Sequence, residues 1–195
     1  MSGSSGPESL RAFLRAGTWE QHRSLDDAVN ARGYLRTADG YRNFLARSLA
    51  FQSAAEEALQ RLDVVTLIPD WPHRRRAPLL AADLATLAGP HPDARLQAAT
   101  RQLLAPCAGA AHAWGIAYVL EGSTLGAAFV LKEVARLGVT ETQGGSFLAS
   151  GKAGPGWPAF LAQLDAQVFT NAERGVVLES ARRTFAAAHA CFAGD

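Results

Sequence analysis

Arg15, Thr18 and His22 are residues whose types and spacing could do chemistry. Arg15 and His22 are seven positions apart, two turns of a helix, so both side chains would project from one helical face. A neutral imidazole can ligate iron axially. A guanidinium about 10 Å along the same face could pair with a carboxylate of the same ligand. Since a single histidine on a helix is more often structural, both interpretations stay open on spacing alone.

Gly122 and Gly126 form a second feature, inside the apolar segment 118–126, YVLEGSTLG. Four positions apart, the two glycines share one helical face and remove side-chain bulk from it. Each costs about 1 kcal/mol relative to alanine inside a helix, so the pair needs a reason. The spacing predicts a surface that a large flat ligand can approach, a bend, or a close crossing of two helices.

Helical periodicity and helix-ending residues dominate the rest of the chain, which predicts an all-α fold. We predict helices over 9–33, from Thr37 or Asp39 to Leu62, and over 79–87, 93–104, 108–137, 158–169 and 171–192. The strand-like run 64–68, VVTLI, predicts an extended connection ending at Pro69. No repeat or internal boundary is visible, so we predict one domain over 9–195 after a flexible tail over 1–8.

Composition narrows the function classes. Of the 195 residues, 48% are hydrophobic and 19% are charged, which indicates a globular chain. The formal net charge of +1 gives no global attraction to nucleic acid or to an anionic membrane. We find no apolar run of the roughly 18–20 residues that a membrane span needs, and no signal peptide. These features predict a cytoplasmic protein.

The two cysteines and the other histidines are interpreted as structural. Cys107 and Cys191 have no metal-binding spacing, and we expect two buried free thiols rather than a disulfide. His112 and His189 lie in predicted helices and are expected at the surface or in the core. His73 and His91 lie in loops beside prolines and are expected in solvent.

Several segments together resemble the heme oxygenase family, in order along nearly the whole chain. The segment around His22 resembles its first helix, where a basic residue precedes the proximal histidine by seven positions and a threonine by four. The segment 118–126 resembles its distal helix, in the bacterial form YVLEGSxLG. Further similarity lies in the second helix, in the segment 76–90 and in the terminal helix, at Tyr41, Leu45, Glu56, Ala181, Phe185 and Phe192.

The resemblance implies a single-domain helical bundle with heme between the first helix and a glycine-bent distal helix. His22 would be the axial ligand of the heme iron. Gly122 and Gly126 would let the distal backbone lie against the porphyrin. Ser123 stands where mammalian members carry an aspartate that organises distal water. With Gly122 and Gly126 it forms the implied catalytic set.

The remaining implied heme contacts come from three helices. Arg15 and Tyr118 match positions that contact the heme propionates. Phe185 matches the place where the terminal helix closes over the pocket.

The implied reaction opens heme to biliverdin, carbon monoxide and ferrous iron, with heme as both substrate and cofactor. It uses O2 and electrons from a ferredoxin-like protein or a reductase, because no GxGxxG nucleotide motif is present. The basic run Arg74, Arg75 and Arg76 is either a solvated face or a docking patch for such a donor. A phytochrome is a candidate biliverdin acceptor.

Two alternatives share the fold. One is a non-catalytic heme carrier or sensor, for which His22 would serve equally well. The other is a thiaminase-like hydrolase, which is disfavoured because neither Cys107 nor Cys191 is placed as a nucleophile.

Overall fold

A computed structural model describes residues 9–153 and 156–194, and the predicted tail over 1–8 lies outside them. The described residues form ten α-helices. In chain order these are α1 Leu10–Arg32, α2 Ala38–Arg61, α3 Val64–Leu67, α4 Ala77–Thr86, α5 Ala94–Leu104, α6 Ala110–Gly122, α7 Ala127–Val134, α8 Ser146–Ala153, α9 Gly156–Asp165 and α10 Asn171–Ala193. The predicted all-α, single-domain fold is confirmed.

The two long N-terminal helices have the ends that their sequences predict. The Ser9 hydroxyl accepts the Ala12 amide at the start of α1, and the Thr37 hydroxyl accepts the Gly40 amide at the start of α2. Gly33 ends α1 in the left-handed conformation, with φ of 62°, which favours glycine.

The main core forms where α10 packs against α1, α5 and α6. Gly115 of α6 permits the closest approach, because a Cβ there would lie 2.4 Å from the Val177 carbonyl oxygen of α10. Trp114 is fully buried beside it, against the Phe160 ring of α9. Cys107 and Cys191 are buried free thiols, as predicted.

A smaller apolar cluster lies between α2, α4, α7 and the segment that follows α7. The helix α8, which was not predicted from the sequence, covers this cluster. A residue far away in the sequence caps its start, because the buried Asp83 carboxylate accepts the backbone amides of Ser146 and Phe147. Segment 64–67 also differs from prediction: it forms one turn of helix, with Val64 and Ile68 buried.

The predicted lack of a membrane-length apolar run is wrong in one place. The helical stretch Ala110–Leu137, 28 residues long, is apolar enough to cross a membrane by length and composition. Half of its most apolar window is buried inside the structure, and a 3₁₀ turn at Ser123–Gly126 interrupts it. A single stretch of this kind is weak evidence for a span, because a core helix passes the same test.

Candidate functional site

His22 lies on the exposed face of α1, with 56% of its side chain accessible. Its Nδ1 atom is 3.0 Å from the Asp26 carboxylate, one helical turn later. A carboxylate in this position favours the tautomer in which Nδ1 carries the proton, which leaves the Nε2 lone pair free for a metal. The Phe185 ring of α10 meets the imidazole edge to face, with 5.9 Å between ring centroids. The structure therefore brings together two predicted site residues and one that was not predicted.

Asp26 is the residue that the sequence analysis missed. Its signal was available, since residues four apart on a helix are neighbours and a metal-bound histidine commonly donates its other N–H to a carboxylate. The imidazole is held between Asp26 and Phe185 and has a defined ring orientation.

Arg15 lies on the same side of α1, beside a surface groove of about 430 Å³. Arg11 and Trp19 also line this groove, and the Trp19 side chain is 56% exposed although it is large and apolar. A groove with two guanidinium groups and an indole suits a ligand that has carboxylates on an apolar body.

Tyr118 connects α6 to this part of α1. It is buried, and its ring lies 5.5 Å from that of Trp157 in α9. Burial raises the pKa of its phenol above the ordinary value, while hydrogen bonding with Thr18 and the charges of Arg11 and Arg15 act in the opposite direction. Tyr118 is thus a neutral hydrogen-bond donor at neutral pH. Thr18 lies one turn before His22 on α1, and Tyr118 lies one turn before Gly122 on α6.

The α-helix gives way to a 3₁₀ turn at Ser123–Gly126, between α6 and α7. The Ser123 hydroxyl donates to the Leu120 carbonyl at 2.7 Å, and the Thr124 hydroxyl donates to the Glu121 carbonyl at 2.7 Å. These bonds satisfy carbonyls at the point where the helical pattern changes. Because its proton is used there, the exposed Ser123 hydroxyl offers further partners only its acceptor sites.

The glycines of α6 and of this turn serve different purposes. A Cβ on Gly126 would meet no atom within 4 Å, and one on Gly122 would meet only the Trp157 ring at ordinary contact distance, 3.7 Å. Gly115, in contrast, is needed for a close helix crossing. The sequence left a close helix crossing open as the purpose of the Gly122–Gly126 pair. In the structure the close crossing is at Gly115 instead. At the Gly122–Gly126 bend, the Gly126 backbone is open to a large ligand, whereas the Trp157 ring lies against Gly122.

The surface around this bend is apolar. Leu125 and Phe129 are 64% and 68% exposed, which is unusual for residues of this size. Both lie on the turn or on α7, close in sequence to Gly126. An exposed apolar surface beside an open backbone suits the face of a flat ligand.

The interpretation of Arg74, Arg75 and Arg76 as a solvated basic face or docking patch is wrong. Arg74 and Arg76 are 2% and 6% exposed, and both donate to the fully buried Glu121 carboxylate. Arg75 is partly exposed but pairs with Glu56. These side chains are structural ion pairs, and two of the three are inaccessible to a partner protein.

The chain is similar to known proteins in both sequence and fold. The heme oxygenase family model matches residues 8–193. Heme oxygenase PigA of Pseudomonas aeruginosa is 31% identical over 186 residues, covering 92% of this chain and 91% of PigA. A heme oxygenase of Xanthomonas campestris pv. campestris is 29% identical over 159 residues, covering 81% of this chain and 92% of that protein.

Two solved structures have the same fold. The NO- and CO-bound heme oxygenase from Neisseria meningitidis superposes with a TM-score of 0.79 at 26% identity, covering 94% of this chain and 90% of that one. A heme oxygenase from Leptospira interrogans superposes with a TM-score of 0.76 at 21% identity, covering 95% and 99%. At that lower identity the second match supports the fold alone.

Proposed function

The chain belongs to the heme oxygenase family, whose members degrade heme to biliverdin, and we propose that it does so with His22 as the residue that would hold the heme iron. We propose further that O2 and externally supplied electrons drive the reaction, releasing carbon monoxide and ferrous iron. The orientation of the His22 ring carries this assignment, because Nδ1 faces Asp26 and Nε2 is left for a metal.

The residues present fit heme. His22 offers one neutral nitrogen, the Gly126 backbone is open, and Leu125 and Phe129 expose apolar surface beside it. Bound heme supplies the iron that activates O2 and the carbon that is oxidised. The protein supplies orientation and electrostatics.

On the proximal side, Asp26 orients the imidazole and increases its basicity through Nδ1. Phe185 limits rotation of the ring from the α10 side. These residues would together hold the heme iron at Nε2 of an oriented His22 ring.

Arg15 and Tyr118 would hold the heme propionates. Arg15 offers a charged guanidinium at the groove, and Tyr118 offers a phenol proton. Together they would fix the rotation of the heme about the His22 bond.

On the distal side, Gly126 would admit the porphyrin to the backbone, and Gly122 would do so once the Trp157 ring moves aside. Ser123 would bind water through its acceptor sites, because its proton is committed to the Leu120 carbonyl. This differs from an aspartate, since a hydroxyl places no negative charge beside the ligand. Distal water would therefore be held by neutral groups.

Hemin titration followed by reduction in air tests this function. Binding should shift and sharpen the Soret band of free hemin, and an added reductant should convert the complex to biliverdin, identified by chromatography. A stable oxygen complex without ring opening would support the carrier or sensor alternative. No shift of the Soret band on adding protein would contradict heme binding altogether.

We also propose a separate ferredoxin-like or reductase donor, supported by the absence of a GxGxxG motif in the sequence. A phytochrome as biliverdin acceptor and a cytoplasmic location stay predictions. Turnover with purified donor proteins, compared across ionic strengths, tests the donor.

A further inference from the structure

Glu121 is the penultimate residue of α6 and directly precedes Gly122. Its carboxylate is fully buried and is shared by two guanidinium groups, with Arg74 on one oxygen and Arg76 at 2.7 Å on the other. A carboxylate in the core is tolerated only when it is paired and hydrogen-bonded, and these two arginines supply both kinds of interaction to Glu121.

Arg74 extends this arrangement to a neighbouring helix. It donates to the Asp70 carboxylate at 2.7 Å and to the Gly156 carbonyl at 3.3 Å, where α9 begins. Gln163 of α9 also donates to Asp70, at 3.1 Å. We call Asp70, Arg74, Arg76 and Glu121 the Glu121 cluster. Its two carboxylates and two guanidinium groups have no net charge, and it joins the end of α6 to α9.

Both helices joined by the Glu121 cluster, α6 and α9, contact the bend at Gly122–Gly126. The residue after Gly156 is Trp157, whose ring lies over Gly122. The Glu121 backbone carbonyl accepts the Thr124 hydroxyl inside the 3₁₀ turn. The same residue therefore takes part in the bend through its backbone and in the Glu121 cluster through its side chain.

We propose that Glu121 is a positioning residue for the oxygenation of heme. By pairing with Arg74 and Arg76, it fixes the bend at Gly122–Gly126 against α9 and so sets where the distal backbone meets the porphyrin. This inference rests on the proposed function, but its structural part concerns the protein without heme. A role in core stability alone is the competing explanation.

Two variants separate positioning from stability. Glu121→Gln removes the charge and leaves the arginines in excess. The double variant Glu121→Leu with Arg76→Met removes one charge of each sign, and Arg74 keeps Asp70 as its partner. Because well-packed apolar residues often replace a buried ion pair without loss of stability, the double variant should fold. Glu57→Gln is the matched control, since it breaks the ion pair with Arg101 between α2 and α5.

The first measurement uses apo-protein. Hydrogen–deuterium exchange over residues 119–130 should become at least about tenfold faster in both Glu121 variants, including a double variant with a wild-type melting temperature. The Glu57→Gln control should exchange as the wild type does. A thermally stable double variant with wild-type exchange over 119–130 would overturn the proposal.

The second measurement uses hemin-loaded protein. Hemin affinity should change by less than about threefold, because His22 on α1 is untouched, whereas biliverdin formed per bound heme should fall at least about tenfold. Wild-type turnover and product isomer ratio in the double variant would overturn the proposal. If the wild-type chain forms no biliverdin, the proposed function fails, and exchange in apo-protein still decides whether Glu121 fixes the bend.

Discussion

Replacing single glycines by larger residues should separate those that the fold needs from those that the ligand needs. At Gly115 a Cβ would lie 2.4 Å from a carbonyl oxygen of α10 and 2.6 Å from the Ser180 Cβ. At Gly126 a Cβ would meet nothing within 4 Å, and φ is −83°, which any residue adopts. The two substitutions should therefore have opposite effects on the stability of the apo-protein.

The size of each effect follows from the contacts. Gly115→Ala overpacks a helix crossing, which costs about 1–3 kcal/mol. One kcal/mol shifts Tm by about 2–4 °C in a chain of this size, so Tm should fall by about 2–12 °C. Gly126→Ala restricts the unfolded chain without strain in the folded one, which stabilises by about 0.4–1 kcal/mol and should raise Tm by about 1–4 °C.

Hemin affinity should instead depend on the glycine that faces the ligand, Gly126. Gly126→Leu places a side chain in the layer assigned to the porphyrin, and its hemin Kd should rise at least about tenfold, or about 1.4 kcal/mol. Gly175→Leu is the matched control, because a Cβ on Gly175 in α10 also meets no atom within 4 Å. Circular dichroism melting and Soret titration measure the two effects. Wild-type hemin affinity in Gly126→Leu, or wild-type stability in Gly115→Ala, would refute the reasoning.

Three further predictions follow from charge and burial. Asp26→Asn removes the charge beside His22 Nδ1, so the reduction potential of the hemin complex should rise, and an unchanged potential in spectroelectrochemistry would contradict this. Burial raises the pKa of Asp70, but the hydrogen bonds from Arg74 and Gln163 outweigh it, so the folded pKa is lowered. Asp70 therefore adds stability above the unfolded pKa of about 3.9 that is lost as pH falls. In urea titrations between about pH 5 and 3, wild type should lose more unfolding free energy than Asp70→Asn. Burial raises the pKa of the thiols of both cysteines, so iodoacetamide should label them far more slowly in the folded protein than in urea, and equal rates would disprove their burial.

Helix ends were predictable where the signal is local. Ser9, Thr37 and Gly33 act on residues within one turn, so their sequence neighbours suffice to place the ends. The start of α8 was not predictable, because its cap is Asp83, 63 positions away from Ser146 in the chain.

The difference between local signals and long-range contacts also explains which features of the site could be predicted. His22, Arg15 and the glycine bend follow from spacing and family resemblance, and Asp26 could have been found from its position on α1. The burial of Arg74 and Arg76 could not, because their partner Glu121 lies 47 and 45 positions away. Three consecutive arginines are usually solvated, and only tertiary contacts show otherwise. For the run 64–68, packing of Val64 and Ile68 into the core outweighed the β propensity of the sequence.

The assignment of His22 as the iron ligand is tested most directly by His22→Ala with and without added imidazole. We predict that the variant loses the wild-type Soret band and biliverdin formation, and that imidazole restores the band because it can occupy the vacated site. His112→Ala is the control, since that imidazole lies on α6 and contacts the carbonyl of Ala108, which precedes the helix, and the variant should behave as wild type. A wild-type Soret band and turnover in His22→Ala without imidazole would contradict the central claim.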